Sequence, residues 1–292
     1  MGKIFDYKCT FLDNIHIDDD ILNKNSIKFP DVHLYCEEMV KYAKLRKEIS
    51  KAHFVELPFC HTVEAESLGG KIVYGDAITG PRAKEFIYDN LIDILDIGEI
   101  DFEKGRIYEV LKAIKMLSLE GEDIVFEVSG PFTILNSLVD SEVLFKTLRK
   151  DRDLMKKVYD KIGKEIYKFI DLAIKNGAKY ISFADSAAAV GIIGPKYTKE
   201  YVEDFLYEFI KQIVELSKNK SATILICPRI TFALYGMDLI RFNNVPLDKE
   251  MPYFDAIKMN IDKIKLTGQM CIKNRDYILK PPFIKELIFS SK

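Results

Sequence analysis

No run of apolar residues in this 292-residue chain approaches the ~20 needed to span a bilayer, and the opening Met-Gly-Lys-Ile-Phe-Asp lacks the apolar stretch of a signal peptide. Asp6 stands where an N-myristoylation motif carries Ser or Thr. A charge excess of either sign is missing too. Lys and Arg total 43 against 45 Asp and Glu, a net −2, which argues against a nucleic-acid surface or a basic membrane-binding face. The cysteines are only five, an odd number, and widely spaced in a chain too long to need staples, so reduced thiols and a cytoplasmic location are expected. No Gly-x-Gly-x-x-Gly follows the first strand-like run, which weakens a doubly wound dinucleotide-binding sheet. Low-complexity segments, linkers and repeats are also absent from the sequence.

What is present suits one large α/β domain or two smaller ones; a β/α barrel typically needs ~250 residues. The stretch Tyr180-Ile-Ser-Phe-Ala-Asp-Ser-Ala-Ala-Ala-Val-Gly-Ile-Ile-Gly-Pro195 is the most informative. A run of β-formers delivers Asp185 at its C-terminal end, the small residues from Ser186 to Gly191 leave room for a ligand, and Gly194-Pro195 closes the loop before Thr198 caps a helix. Ligands of parallel α/β folds bind outside the carboxyl ends of the strands, so Asp185 is a candidate site residue. A plain helix-capping role is the alternative.

Along the chain, residues 1–32 read as a polar extension, and 32–51 as a helix bearing His33 and Cys36, a pair too small for a metal site. His53–Leu57 reads as a strand. It leads into Pro58–Gly70, a loop holding Phe59, Cys60, His61, Glu64 and Glu66, whose bland alternative is a helix capped by Thr62 with solvated carboxylates. Lys71–Tyr74 is a second extended piece, and Arg106–Leu119 an amphipathic helix. Glu122–Val128 is a strand stopping at Ser129-Gly130, where backbone amides could face a ligand. Asp151–Ala173 carries a core stripe. Ala222–Ile226 is a strand ending in Cys227 and Arg229, Lys263–Thr267 another ending in Gly268 and Cys271, and Glu286–Phe289 a last short strand. The alternation predicts a single TIM (β/α)8-type barrel from residue 53 to 292, with 1–52 packed outside it. Asp185, Glu64 and Ser129-Gly130 are then expected to face one cavity.

Three motifs, Pro58-Phe-Cys-His-Thr-Val-Glu-Ala-Glu-Ser-Leu-Gly, Val128-Ser-Gly-Pro-Phe-Thr-Ile-Leu and Ile181-Ser-Phe-Ala-Asp-Ser, resemble in order and spacing the uroporphyrinogen decarboxylase superfamily, and within it the corrinoid-dependent methyltransferase branch. The resemblance runs from His53 to Cys271. It implies a TIM barrel, and transfer of a methyl group from a methylated corrinoid, free or on a corrinoid protein, to a thiol or other small acceptor. Coenzyme M, homocysteine and a folate stay open. It also implies zinc, held in that branch by a His-x-Cys pair and a later cysteine. Here the matching triplet is Leu225-Ile226-Cys227, so the histidine is missing; Cys271 is the later cysteine, and His61, Glu64 or Asp185 could stand in for the imidazole. The resulting assignment is Asp185 and Glu64 as catalytic groups; Phe59, Ser129, Gly130, Ser186 and Arg229 as substrate-binding; and Cys227, Cys271 and His61 as metal ligands. Neither nucleic acid nor membrane is expected as a partner. Two other readings remain: a uroporphyrinogen decarboxylase-like lyase, disfavoured because Pro58–Gly70 holds no arginine for the substrate's carboxylates, and a barrel that binds a corrinoid without chemistry.

Overall fold

The computed structural model describes residues 17–274 and 277–290, so the first sixteen residues of the expected N-terminal extension, Cys9 among them, lie outside the described part. The described residues fall into two compact units divided between Ala178 and Lys179.

The N-terminal unit opens with α1 (Asp19–Lys24) and α2 (Cys36–Ser50). Ile17, Leu22, Ile27 and Val32 bury against Tyr42 and Leu45 of α2 and against Phe29, Phe59 and Ala77. Strand β1 (Val55–Leu57) leads through the half-buried residues Phe59 to His61 into the short helix α3 (Val63–Ser67). Thr62 sits at its N-cap position without a side-chain cap bond. The strands β2 (Lys71–Val73) and β3 (Arg82–Glu85) form an antiparallel pair of their own. Next come α4 (Gly105–Leu119) and β4 (Ile124–Ser129), which pairs in parallel with β1, Leu57 opposite Phe126. Every residue of β4 is buried, the pattern of a strand covered on both faces. Gly130 and Pro131 stop it and open α5 (Pro131–Leu138), followed by α6 (Ser141–Lys150) and α7 (Arg152–Lys175). In α7 the Asp151 carboxylate accepts the Leu154 N–H at 2.9 Å, and the expected stripe from Met155 to Ala173 is buried. The helix ends at Gly177, whose φ of +108° and approach to Ser118, 2.0 Å from an ideal Cβ to Oγ, leave room for no side chain.

The C-terminal unit continues the β/α alternation. Its strands β5 (Tyr180–Ala184), β6 (Thr223–Ile226) and, further along, β8 (Leu266–Thr267) lie parallel and side by side, Phe183 opposite Ile226 and Leu225 opposite Thr267. Between β5 and β6 run α8 (Val190–Tyr201) and α9 (Tyr207–Lys218). Helix α10 (Pro228–Gly236), strand β7 (Ile240–Pro246) and α11 (Tyr253–Met259) separate β6 from β8, and β9 (Phe283–Phe289) ends the unit. Two features depart from the sequence reading. Thr198 caps nothing: Gly194, at φ +80° and ψ 165°, breaks α8 internally, and Thr198 lies inside the second half, donating to Ala188 O at 3.4 Å. A π-helical turn, Val202–Leu206, then joins α8 to α9. The last strand is not a further parallel one; β9 runs antiparallel to β7, seven residues against seven. Among the described residues no helix is long and apolar enough to cross a membrane.

Candidate functional site

The motif residues gather into two sets, one in each unit. In the N-terminal unit, α3 turns Glu64 towards the end of β4, where Oε1 accepts the Ser129 N–H at 2.8 Å. The Ser129 hydroxyl lies 3.4 Å from His61 Nδ1. The Ser129 amide, read from the sequence as open to a ligand, is therefore taken by Glu64. Glu64 is 3 % exposed, and Oε2 has no hydrogen-bond partner among the described residues. Burial pushes its carboxyl up, against the Ser129 N–H, which favours the charged form. Burial likewise lowers His61, against the pull of Glu64. Burial therefore favours the uncharged form of both groups.

Arg106, from α4, enters this loop although the segment 58–70 contains no arginine of its own. Its Nε is 2.5 Å from Glu66 Oε2, its guanidinium donates to Thr62 Oγ1 at 2.8 Å and Cys60 Sγ at 3.4 Å, and it lies over the Tyr74 ring. The Tyr74 hydroxyl donates to Glu66 Oε1 at 2.5 Å, and burial together with that bond pushes the phenol up to about 12. The Thr62 hydroxyl thus serves Arg106 rather than the helix end, and Glu66 is not merely solvated. Phe59 packs against Tyr42 and His33 with the Arg46 guanidinium over its ring. Gly130 is the N-cap of α5.

His33 and Cys36 serve separate neighbourhoods. Cys36 lies with Glu37 and Glu109, their ligand atoms within 4.8 Å of one another. Protein groups already occupy that cluster: the Cys36 thiol is 3.1 Å from Met116 Sδ, and Glu109 accepts the Cys36 N–H and pairs with Lys112. Burial pushes the Cys36 thiol up to about 11.

In the C-terminal unit Asp185 follows β5 directly and is 1 % exposed. It makes no cap bond; Oδ2 accepts the hydroxyl of buried Tyr201 at 2.6 Å. Ser186 begins a single 3-10 turn beside it. Cys227 follows β6 on the neighbouring strand and donates its N–H to Phe183 O at 2.9 Å. Cys271 stands four residues past Thr267 of β8, the next strand over. The register therefore lines up Asp185, Cys227 and the turn that carries Cys271 at the carboxyl ends of three adjacent parallel strands. None of the four described cysteines is in a disulfide. Arg229 lines a pocket of about 410 Å³ with Ala189 to Ile192 and Phe232; Ile192 and Phe232 are half exposed at its rim.

The chemistry of this donor set bears on a soft metal ion. Leu225, two residues before Cys227, is buried within the β6 ladder between Ser182 and Thr267 and offers no lone pair. Two thiols and a carboxylate remain, donor types that zinc accepts, although their ligand atoms do not all lie within 4.8 Å of one another. Tyr201 beside Asp185, and in the other unit Arg106 beside Glu66, are partners that sequence reasoning missed. A hydroxyl sixteen residues from its carboxylate on another element leaves no local signal.

Comparison with known proteins agrees with these motifs. The chain is 28 % identical over 247 residues to a methylcobamide:CoM methyltransferase, MtbA, of Methanosarcina mazei, covering 83 % of this chain and 71 % of the relative. It is 25 % identical over 255 residues to the methylcobamide:CoM methyltransferase MtaA of Methanosarcina barkeri, covering 86 % and 74 %. A solved structure, a methyltransferase from Methanosarcina mazei, superposes with a TM-score of 0.63 at 24 % identity; it covers 75 % of this chain, which spans 64 % of that protein, under two thirds of its length. That likeness bears on the fold, and the class is α/β of the TIM-barrel type. The family model described as uroporphyrinogen decarboxylase (URO-D) matches residues 19–272. The chain belongs to the uroporphyrinogen decarboxylase family.

Proposed function

We propose that the protein transfers a methyl group from a methylated corrinoid, free or carried on a protein, to a small thiol. The observation that carries this reading is the placement of Cys227, Asp185 and the Cys271 turn at three neighbouring strand ends, in a chain whose relatives include methylcobamide:CoM methyltransferases. The acceptor thiol gives up its proton, its sulfur lone pair forms the bond to the methyl carbon, and the carbon–cobalt bond breaks with its electron pair left on the corrinoid. Cys227 and Cys271 would hold a zinc ion with Asp185 as the third ligand; such an ion keeps an acceptor sulfur in the thiolate form at neutral pH. Tyr201 fixes the carboxylate of Asp185 in this arrangement. Arg229, at the pocket beside the Asp185 loop, supplies a positive charge for an anionic part of either substrate.

The lyase reading gains nothing from Arg106, whose guanidinium is engaged by Glu66, Thr62 and Cys60. The test is direct. Purified protein is incubated with methylcobalamin and, in turn, 2-mercaptoethanesulfonate and homocysteine, while loss of methylcobalamin absorbance and of free thiol is followed. Turnover with at least one thiol is expected, and Cys227→Ala should abolish both turnover and zinc retention while leaving the circular dichroism spectrum unchanged. Methylcobalamin binding without turnover for any thiol would turn the reading towards a corrinoid-binding barrel. Conversion of uroporphyrinogen instead would turn it towards a lyase.

A further inference from the structure

The small residues that follow Asp185 leave room for a ligand, and that room has a definite place. Ala189 to Ile192, at the start of α8, and Arg229 and Phe232, on the first two turns of α10, line a pocket of about 410 Å³. Both helices follow neighbouring parallel strands, α8 through the turn that begins at Asp185 and α10 with Cys227 as its N-cap. The pocket thus lies in the loops where function collects in such folds. Gly191 forms part of its wall, and an ideal Cβ there would meet nothing within 4 Å. Val190, Ile192 and Phe232 make the lining apolar, with Ile192 and Phe232 left half exposed. Arg229 is the one charged side chain among the described lining residues.

We infer that this pocket holds the methyl acceptor, and that the acceptor is a thiol with an apolar segment of several carbons and an anionic end. Volume separates the candidates. A cavity of about 410 Å³ falls in the range, ~300–1,000 Å³, of pockets that bury most of a drug-sized ligand. A corrinoid macrocycle is too bulky to enter it, and a two-carbon thiol would leave the apolar walls facing water. Such walls favour a hydrocarbon chain, by roughly fourfold in affinity for each methylene they bury. A single guanidinium among them is matched by one carboxylate or sulfonate, since a hydrogen bond between ionised groups is about twice as strong as a neutral one. The assignment to the acceptor rests on the methyl transfer proposed above; the preference for an apolar anion rests on the lining alone.

The experiment uses the full-length protein and thiol-free probes, so that binding is read without turnover. Calorimetric titration compares butanoate with hexanoate, and sets 1-hexanol and ethanesulfonate beside them as the neutral and the short counterparts. Affinity should climb about fourfold per methylene from butanoate to hexanoate. Hexanol should bind at least about tenfold more weakly than hexanoate, and Arg229→Gln should weaken hexanoate by about 10- to 100-fold, the loss of one charged hydrogen bond. Phe232→Ala, at a half-exposed position, should flatten the dependence on chain length. Saturating methylcobalamin should leave hexanoate bound. In turnover, 6-mercaptohexanoate should exceed 2-mercaptoethanesulfonate in kcat/KM by about tenfold or more. The wild-type series decides the matter even if a variant fails to fold: hexanoate binding no tighter than ethanesulfonate would overturn the inference. So would affinities unchanged in both variants, displacement of hexanoate by methylcobalamin, or the reverse order of the two thiols. The expected binding series without methyl transfer to any thiol would sink the proposed reaction and leave the pocket's preference standing. Transfer to 2-mercaptoethanesulfonate without alkanoate binding would do the opposite.

Discussion

Asp185 and Tyr201 show how a single hydroxyl can define a site residue. The carboxylate is almost wholly buried at the end of β5, a place where a charge is costly unless hydrogen-bonded. The tyrosine supplies a 2.6 Å bond, and the π turn at Val202–Leu206 directly follows it. Such turns are frequent at functional sites. Tyr201→Phe should cost about 1–3 kcal/mol of stability, because it strips a buried oxygen of a partner. If the proposed reaction holds, kcat should also fall by roughly tenfold, as when an outer-shell partner is lost. Urea melts and methyl-transfer kinetics on the same preparation check both. Unchanged kcat with lowered stability would remove Asp185 from the chemistry. At this scale the sequence told much about which residues matter and little about what each one does. Asp185, Glu64, Cys227 and Cys271 stood out because each follows a strand-like run. Tyr201 lies sixteen residues from Asp185 and Ser129 lies 65 from Glu64, and only the fold sets those distances.

At the scale of elements, strand ends were the legible feature, because β-branched runs stopped by Gly, Pro or a polar cluster have a local cause. Strands β1, β5, β6 and β8 fall within the runs read from the sequence, and β4 runs one residue past its own, to Ser129. Strand β7 was missed, and its composition explains why: Arg241, Asn243 and Asn244 are poor β-formers, and Pro246 ends it. What makes it a strand is the ladder from Ile240 to Pro246 against β9, a long-range partner. Gly194-Pro195 was read as the close of a loop, whereas its positive φ breaks one helix into two. Gly268 is the element-scale residue with the sharpest consequence. An ideal Cβ there would lie 2.3 Å from Thr231 Oγ1 and 2.8 Å from Ile226 O, so the ends of β6 and β8 meet only because the side chain is missing. Gly268→Ala should force those ends apart at a cost of about 1–3 kcal/mol. The shift should register as altered labelling of Cys271 before any loss of the far-UV spectrum. A variant as stable as the wild type, with unchanged Cys271 labelling, would mean that the approach of the two strand ends is not tight.

For the molecule as a whole, acid and base act on buried groups of opposite sense, and the balance sets how stability follows pH. Burial, with Arg106 and Arg46 nearby, lowers His33 from 6.5 to about 4. Its imidazole packs against Phe29 and Phe59. The unfolded chain therefore binds a proton at His33 that the folded chain refuses, so the stability it contributes is complete above about pH 6.5 and lost as pH falls towards 4. A shift of that size corresponds to roughly 3 kcal/mol. Glu64 works the other way. Burial raises its pKa, so the folded chain holds the carboxyl proton longer than the unfolded one does. Its contribution is complete below the ordinary carboxylate value and is lost as pH rises through the raised one. From about pH 4.5 up to the raised Glu64 value the two slopes oppose each other and flatten the wild-type profile. Single substitutions should unmask them. Glu64→Gln keeps an oxygen for the Ser129 N–H and removes the ionisation, so its gain over the wild type should widen as pH rises. His33→Phe should show the reverse, its advantage growing as pH falls. Denaturant midpoints at four pH values between 4.5 and 7.5 decide the matter, since profiles that stay parallel to the wild type would mean that neither group titrates as its burial dictates.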